Sequence, residues 1–507
     1  MSDLAKGWTS CQLQELLTSL ESGSRPKGGV RGIADGVPSL GGEHLTYKGG
    51  FDFSSIKYVP KEFAERMNRG QILINDVLIV KDGATTGKTA FVGKDFPFEN
   101  AVVNEHVFIC RPTEFIEPRF LFRYLTSKEG QDRILENFQG SAQGGINLSF
   151  APNTEIPLAP LNEQKRIVEK LEKLLGKVEA VQARLNKIPV ILKRFRQAVL
   201  AAACSGKLTA DWRKENTDES AEQLKRDIIS EFYQKTKKKI DETEYFQKPD
   251  NSDIPSSWQW IISANIFYFV TSGSRGWASY YSNSGALFIR VGNLDHNSIQ
   301  LDLTSKKFVN PPSNAEGTRT RVLENDVLVS ITADVGMIAL VNSDIGEAYI
   351  NQHISLARPV EGIDKKFLAY YLTSEDGGQK QFRELQRGAT KAGLGLGDIK
   401  NIWVALPPIE EQKEIVRRVE DLFKFADQIE ARYKKARSYT DKLTQSILAK
   451  AFRGELVPQD ENDESASVLL ELIKAEKSNN ADSIKGKQKR KPKTQKEDEQ
   501  QTLFANG

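Results

Sequence analysis

Cysteine, methionine and histidine are nearly missing from this chain, at three, three and four in 507 residues. Cys11, Cys110 and Cys204 are too few and too scattered for a disulfide framework or a zinc site, which predicts a reducing, cytoplasmic setting. His44, His106, His296 and His353 lie at no ligand spacing from one another or from a cysteine, so no metal site is expected. No apolar run reaches the length of a membrane span, and Met1 to Gly7 lacks a basic-then-apolar leader pattern. A charge excess is missing too. The net charge is +3, and residues 1–155 hold 17 Lys and Arg against 19 Asp and Glu. A protein that coats a polyanion nonspecifically is excluded; any nucleic-acid contact must be a local patch, with partners supplying part of the phosphate contacts.

What the chain has instead is a long helical stretch, Leu161 to Ser205, and it has it twice. Ile167, Leu171, Leu174, Val178, Val181, Leu185 and Ile188 follow a 4-3-4-3-4-3 spacing, the seam of a coiled coil. Ile415, Val419, Leu422, Ala426, Ile429, Tyr433 and Ala436 keep that spacing 248 positions on. The flanks repeat as well: Pro160-Leu161-Asn162-Glu163-Gln164-Lys165 is answered by Pro408-Ile409-Glu410-Glu411-Gln412-Lys413. Two rods this alike are expected to pack on each other, each roughly 65 Å long if continuous. Pro189 falls inside the first, where a proline kinks a helix.

The duplication runs nearly end to end. Trp8 pairs with Trp258, Ser22-Gly23-Ser24-Arg25 with Ser272-Gly273-Ser274-Arg275, and Asn75-Asp76-Val77-Leu78 with Asn325-Asp326-Val327-Leu328. Asn104-Glu105-His106 matches Asn351-Gln352-His353, and Arg111-Pro112 matches Arg358-Pro359. Asp218-Glu219-Ser220-Ala221 repeats as Asp463-Glu464-Ser465-Ala466. The rods agree closely, whereas the globular segments share turns and strand starts and differ between them. Short β-rich runs (residues 76–81, 101–110, 326–331 and 349–357) alternate with helical patterns over 118–137 and 364–385, a mixed α/β composition. The expected order is a globular unit over 1–155, a rod over 156–205 and a charged connector over 206–256. A second unit then covers 257–405 and a second rod 406–453, followed by a short helical region over 454–476 and a disordered basic tail over 477–507.

Two motifs suggest chemistry and fall short. Gly83-Ala84-Thr85-Thr86-Gly87-Lys88-Thr89 lacks the first glycine of a phosphate-cradling P-loop, since Asp82 stands there, and its repeat counterpart has no lysine. Asn310-Pro311-Pro312-Ser313 resembles the Asn-Pro-Pro-aromatic motif of amino-group methyltransferases, but Ser313 cannot stack on a base. His106 and His353, at one repeat position, are either strand histidines satisfied by a neighbouring loop or contacts to a base or phosphate. No catalytic residue set emerges.

Residues 160–168, 192–200 and 443–456, with the opening Gly-Trp and Ser-Trp of each unit, resemble the specificity subunits of type I restriction–modification enzymes, and within them the enteric adenine-modifying subgroup. The resemblance implies two mixed α/β target recognition domains and two long helices paired as an antiparallel coiled coil. It also implies double-stranded DNA, two methyltransferase (modification) subunits and restriction/translocase subunits as partners, and no membrane. This chain would then bind no cofactor, with S-adenosylmethionine, ATP and Mg held by the partner subunits. Contacts to DNA are expected from polar loops, with Arg or Lys to guanine and Asn or Gln to adenine. The candidates are Arg25, Lys27, Arg31, Lys81, Thr85, Thr86, Lys88, Gln143 and Asn147 in the first unit, and Arg275, Trp277, Arg290, Asn293, Thr332 and Lys391 in the second. Arg166, Lys170, Arg194, Arg196, Arg417 and Arg418 on the outer rod faces are candidates for docking the modification subunits. Two other readings stay open: an adaptor whose units bind proteins, and a self-sufficient methyltransferase.

Overall fold

The computed structural model describes residues 4–140, 144–250, 254–273, 275–310, 315–341, 345–386 and 393–488. They form two compact units, one combining the chain up to Arg184 with the chain from Ala436 onward, the other spanning Leu185–Lys435.

Each unit is built on a four-stranded antiparallel sheet of the same topology. In the first, strands β1 (Leu17–Ser22), β2 (Val77–Val80), β3 (Thr89–Phe91) and β4 (Val107–Pro112) run in the order β1-β4-β2-β3. In the second, β5 (Phe267–Ser272), β6 (Val327–Ser330), β7 (Ile338–Leu340) and β8 (Ile354–Pro359) run β5-β8-β6-β7. A smaller sheet with one parallel pairing adjoins each, Val37–Leu40 with Val102–Val103 and Ala286–Ile289 with Ala348–Ile350. A two-stranded clasp closes each unit, Thr9–Gln12 on Glu155–Leu158 and Gln259–Ile262 on Trp403–Leu406.

The repeated residues explain why both segments fold alike. Asn75 and Asn325 take the left-handed backbone at φ 74° and 69°, which asparagine tolerates better than most side chains. The aspartates that follow are buried. Asp76 accepts from Leu73 N at 2.7 Å and from Arg111 at 2.9 Å, and Asp326 accepts from Leu323 N at 2.7 Å and from Arg358. One carboxylate thus caps a turn and pins β4 or β8 through a two-pronged ion pair. Asn104 and Asn351 turn the chain by accepting from the amides of His106 and His353, and so break the predicted 101–110 and 349–357 strands in two. Gly23 lies so close to β-sheet backbone that a Cβ there would sit 1.5 Å from Val103 O, and Gly273 is pressed onto Asn351 in the same way. The helical segments break at Ser127 and Ser374, giving Pro118–Thr126 with Lys128–Leu135, and Lys365–Thr373 with a helical stretch ending at Leu385.

The rods differ from each other more than their sequences. The first divides at Asn186–Lys187 into α1 (Leu161–Leu185) and α2 (Ile188–Cys204), because Pro189 supplies no amide hydrogen to continue the ladder and sits instead in the first turn of α2. The second is one 44-residue helix, Ile409–Phe452. Helix pairing is antiparallel within each unit. Gln182 reaches Asp441 while Arg166, earlier on α1, reaches Asp463; Arg196 reaches Asp427 and Glu430 while Thr209 reaches Glu411.

The apolar seam also does more than pair helices. Ile167, Leu171 and Val178, with Val168 and Leu175, lie in the core of the first globular unit, and Ile415 and Val419 lie in that of the second. Leu174, Leu185, Ile188, Leu422, Ile429, Tyr433 and Ala436 are half-buried, Ala426 is buried, and Val181 is 44% exposed against expectation. The repeated flanks are the glue: Gln164 accepts from Glu117 N and donates to Ala159 O, and Gln412 does the same with Asp364 N and Pro407 O.

The expected connector over 206–256 is largely structural. It carries α3 (Ala221–Thr236), whose Ala221, Ile228 and Phe232 are buried in the second unit's core. Its counterpart, α5 (Ala466–Gln488, after α4 at Ile409–Phe452), buries Ala466, Leu469, Leu470 and Ile473 in the first. It continues helically into the expected 477–507 tail; residues beyond 488 lie outside those described. The two closures match atom for atom, with Ala221 N donating to Ser257 O and Ala466 N to Gly7 O, each at 2.9 Å. Among the described residues no helix is long and apolar enough to cross a membrane.

Candidate nucleic-acid interface

The loop that joins β2 to β3, residues 81–88, is a hairpin held by Gly87 N on Val80 O and Thr86 Oγ1 on Gly83 O. A strand follows it, so the P-loop likeness lacks the helix N-terminus that a phosphate cradle requires. Next to the hairpin lie Gln139 and residues 144–147, bridged to it between Asp82 and Gly145; Thr332 and Gly393 form the same bridge in the second unit.

Several candidates gather here. Lys81 lies over the Phe108 ring at 5.5 Å, Lys88 over the exposed Tyr47 ring at 4.6 Å, and Thr85 and Thr86 stand half-buried between them. Asn147 is exposed beside Lys81. Arg25, Lys27 and Arg31 sit on the exposed loop after β1, where Arg25 is paired with Glu105 at 2.8 Å. Glu105 also meets His106, whose Nδ1 is 2.7 Å from Asp82. In the second unit Thr332 takes the place of Asp82 and bonds His353, so both histidines are satisfied by the neighbouring hairpin.

Two second-unit candidates depart from the expectation of accessible readers. Trp277 is 4% exposed, stacked on Phe288 at 5.4 Å and tilted against Tyr349, so its ring serves a local core. Asn293 is buried, accepting from Arg290 N and donating to Asp302 O and Ser305 O; it staples a loop. Arg290 is half-buried against Ser305 O, while Arg275 is exposed. Gln143 and Lys391 lie outside the described residues.

Sequence reasoning missed one pair. Arg69 lines the same concavity as Lys81 and Asn147, and its repeat counterpart Arg319 donates to Ser272 O and Thr271. Extending the Asn75–Asn325 alignment six residues back would have found both. Most of the docking candidates on the rods are tied up internally: Arg166 with Asp463, Arg196 with Asp427 and Glu430, and Arg417 with Glu414 and Asp421. Arg418 holds Asp211 down to about 2, and Arg417 with Arg418 does the same to Glu414. Lys170 and Arg194 remain exposed.

Known proteins share this pattern. The model of the type I restriction modification DNA specificity domain matches residues 5–190 and 289–436. The type I restriction enzyme StySPI specificity subunit of Salmonella potsdam is 30% identical over 495 residues, 94% of this chain and 96% of that protein. The EcoBI specificity subunit of Escherichia coli is 38% identical over 342 residues, 64% of this chain and 65% of that one. Among solved structures, a chain from work on the structural basis of complex assembly and conformational transition of the type I R-M system superposes with a TM-score of 0.66. It is 20% identical and covers 90% of this chain and 100% of its own. The HsdS subunit from Thermoanaerobacter tengcongensis gives 0.50 at 22% identity, over 89% and 98%. At these identities the structural likeness concerns the fold.

Proposed function

The chain belongs to the specificity subunits of type I restriction–modification enzymes, and from that premise we propose that it is the non-catalytic reader of an asymmetric, bipartite DNA target. One observation carries the reading: two frames of the same topology, held by the same asparagine turns, Asp–Arg pairs and glutamine contacts, present unlike loops where a base would be met. Lys81, Asp82 and Asn147 of the first unit correspond to Ile331, Thr332 and Gly395 at the matching repeat positions of the second. Equal frames with unequal loops suit two different half-sites.

Helix α4 contributes to both units without a break, and 44 residues span roughly 65 Å, close to two turns of B-DNA. A stiff helix fixes a gap between half-sites where a flexible linker would not. Two modification subunits, carrying S-adenosylmethionine, and restriction subunits, carrying ATP and Mg, supply the chemistry in the cytoplasm. Of the docking candidates on the rods, Lys170 and Arg194 are the ones exposed and in no ion pair among the described residues, and they are offered as contacts to those subunits.

The test is a domain exchange. Residues 1–155 are replaced by the equivalent unit of a relative, the chimera is expressed with modification subunits, and methylated positions are mapped. One half of the target changes and the other stays. A change in both halves refutes modular reading, and a complex that protects no defined sequence favours the protein-binding adaptor.

A further inference from the structure

The first unit holds a concavity of about 450 Å³. Arg69, Lys81, Asp82, Gln139 and Asn147 line it, with Phe108 beneath and the exposed Leu148 at the rim. The amide of Asn147 is fixed in one orientation. The backbone N–H of Ser149, which can only donate, points at its oxygen from 2.8 Å, and the Ser149 hydroxyl bonds the same atom. The Asn147 NH₂ group is left facing outward, with one contact to Gln139 Oε1 at 3.4 Å.

That orientation closes one option. Pairing with adenine uses an amide oxygen and an amide nitrogen together, and Asn147 has only the nitrogen to give. Lys81, Arg69 and Asn147 are all donors, so the matching edge is rich in acceptors. A phosphate would answer that need, but the Asp82 carboxylate also lines the site and repels a phosphate, whereas a base pair that carries a donor beside its acceptors makes use of it. A G·C pair in the major groove offers two acceptors on guanine, N7 and O6, and one donor on cytosine, N4. Donors on one side and the Asp82 carboxylate on the other complement that pattern.

We infer that the concavity lined by Arg69, Lys81, Asp82 and Asn147 is a subsite for one G·C base pair in the half-site read by the first unit. The inference rests on the reading of this chain as a DNA specificity subunit. In the second unit Ile331, Thr332 and Gly395 replace the lysine, the carboxylate and the amide, and Arg319 is turned onto Ser272 O, so the described residues of that unit do not repeat this set of donors and acceptor.

The experiment uses the full chain in complex with its modification subunits and a duplex carrying its mapped target. Each guanine of the first half-site is replaced in turn by 7-deazaguanine, which lacks the N7 acceptor, and Kd is measured for the wild type, Lys81→Met and Asn147→Asp. One position is expected to weaken wild-type binding about tenfold to a hundredfold, and the same replacement to cost Lys81→Met less than twofold. Unchanged discrimination at the second half-site shows that the variants are folded. Wild-type discrimination without coupling to Lys81 or Asn147 at any guanine overturns the subsite alone. Equal weakening of Lys81→Met on all sequences, with a salt dependence reduced by about one ion, assigns a phosphate contact and overturns it too. A wild-type complex that binds every 7-deazaguanine duplex like its unmodified target overturns the subsite, and one that binds a duplex without the target equally well overturns the broader reading too.

Discussion

Glu163 and Glu411 occupy the same repeat position at the start of the two rods, and both are buried, at 1% and 0% exposure. Their surroundings are opposite. Glu411 accepts from the Trp258 indole at 2.8 Å, from Thr209 at 2.6 Å and from Arg213, so its charge is fully answered. Glu163 has Val457 and Glu461 where the second unit has Thr209 and Arg213, and its Oε1 finds no hydrogen-bond partner among the described residues. Burial raises its pKa, against the pull of the nearby Trp8 indole and Arg166. A duplicated frame can therefore keep its shape while losing an electrostatic clamp in one copy. Side-chain identity repeats more faithfully than side-chain satisfaction.

Four substitutions break or sharpen that comparison. The largest effect is expected where the copies are still equal. Arg111→Ala or Arg358→Ala strands a buried aspartate and should cost its own unit about 3–5 kcal/mol, alike in both, as read by hydrogen exchange resolved by unit. A twofold difference between the two losses would show that the pairs are not equivalent after all. Next comes Glu411→Gln, which leaves Arg213 half-buried without a counter-ion and should destabilise the second unit by about 2–3 kcal/mol. The smallest has the opposite sign. Glu163→Gln should stabilise the first unit by about 1 kcal/mol at neutral pH.

The pH dependence of that gain follows from linkage. Glu163 binds its proton more tightly folded than unfolded, so it costs nothing below the ordinary glutamate value near 4.5. The penalty develops as pH rises through that value and is complete above the raised one. The advantage of Glu163→Gln should therefore vanish in acid. A gain that persists there would mean that packing, rather than charge, is at fault.

The frame was readable in the chain because its contacts use residues that tolerate few replacements: an asparagine with positive φ, the aspartate after it, an arginine across the sheet. Two features hid. Helix α3 reads as a charged connector because only Ala221, Ile228 and Phe232 of its length are buried, too thin a stripe for a helical period to stand out. Trp277 looked like a loop aromatic because its partners Phe288 and Tyr349 come from distant strands, which spacing along the chain does not reveal. The candidate contacts are legible as a set of loop residues; the orientation of Asn147 is not, since it depends on the amide and hydroxyl of Ser149.

The exchange of closing helices sets an order on synthesis. The second unit takes its closing helix, α3, from chain made before it, so it can finish soon after its own last strand leaves the ribosome. The first unit draws Ile447, Leu448, Ala451, Phe452, Leu469 and Ile473 from the far end of the message. The earlier-made of the two units is thus the later to complete its core, and until then it waits with that apolar surface uncovered.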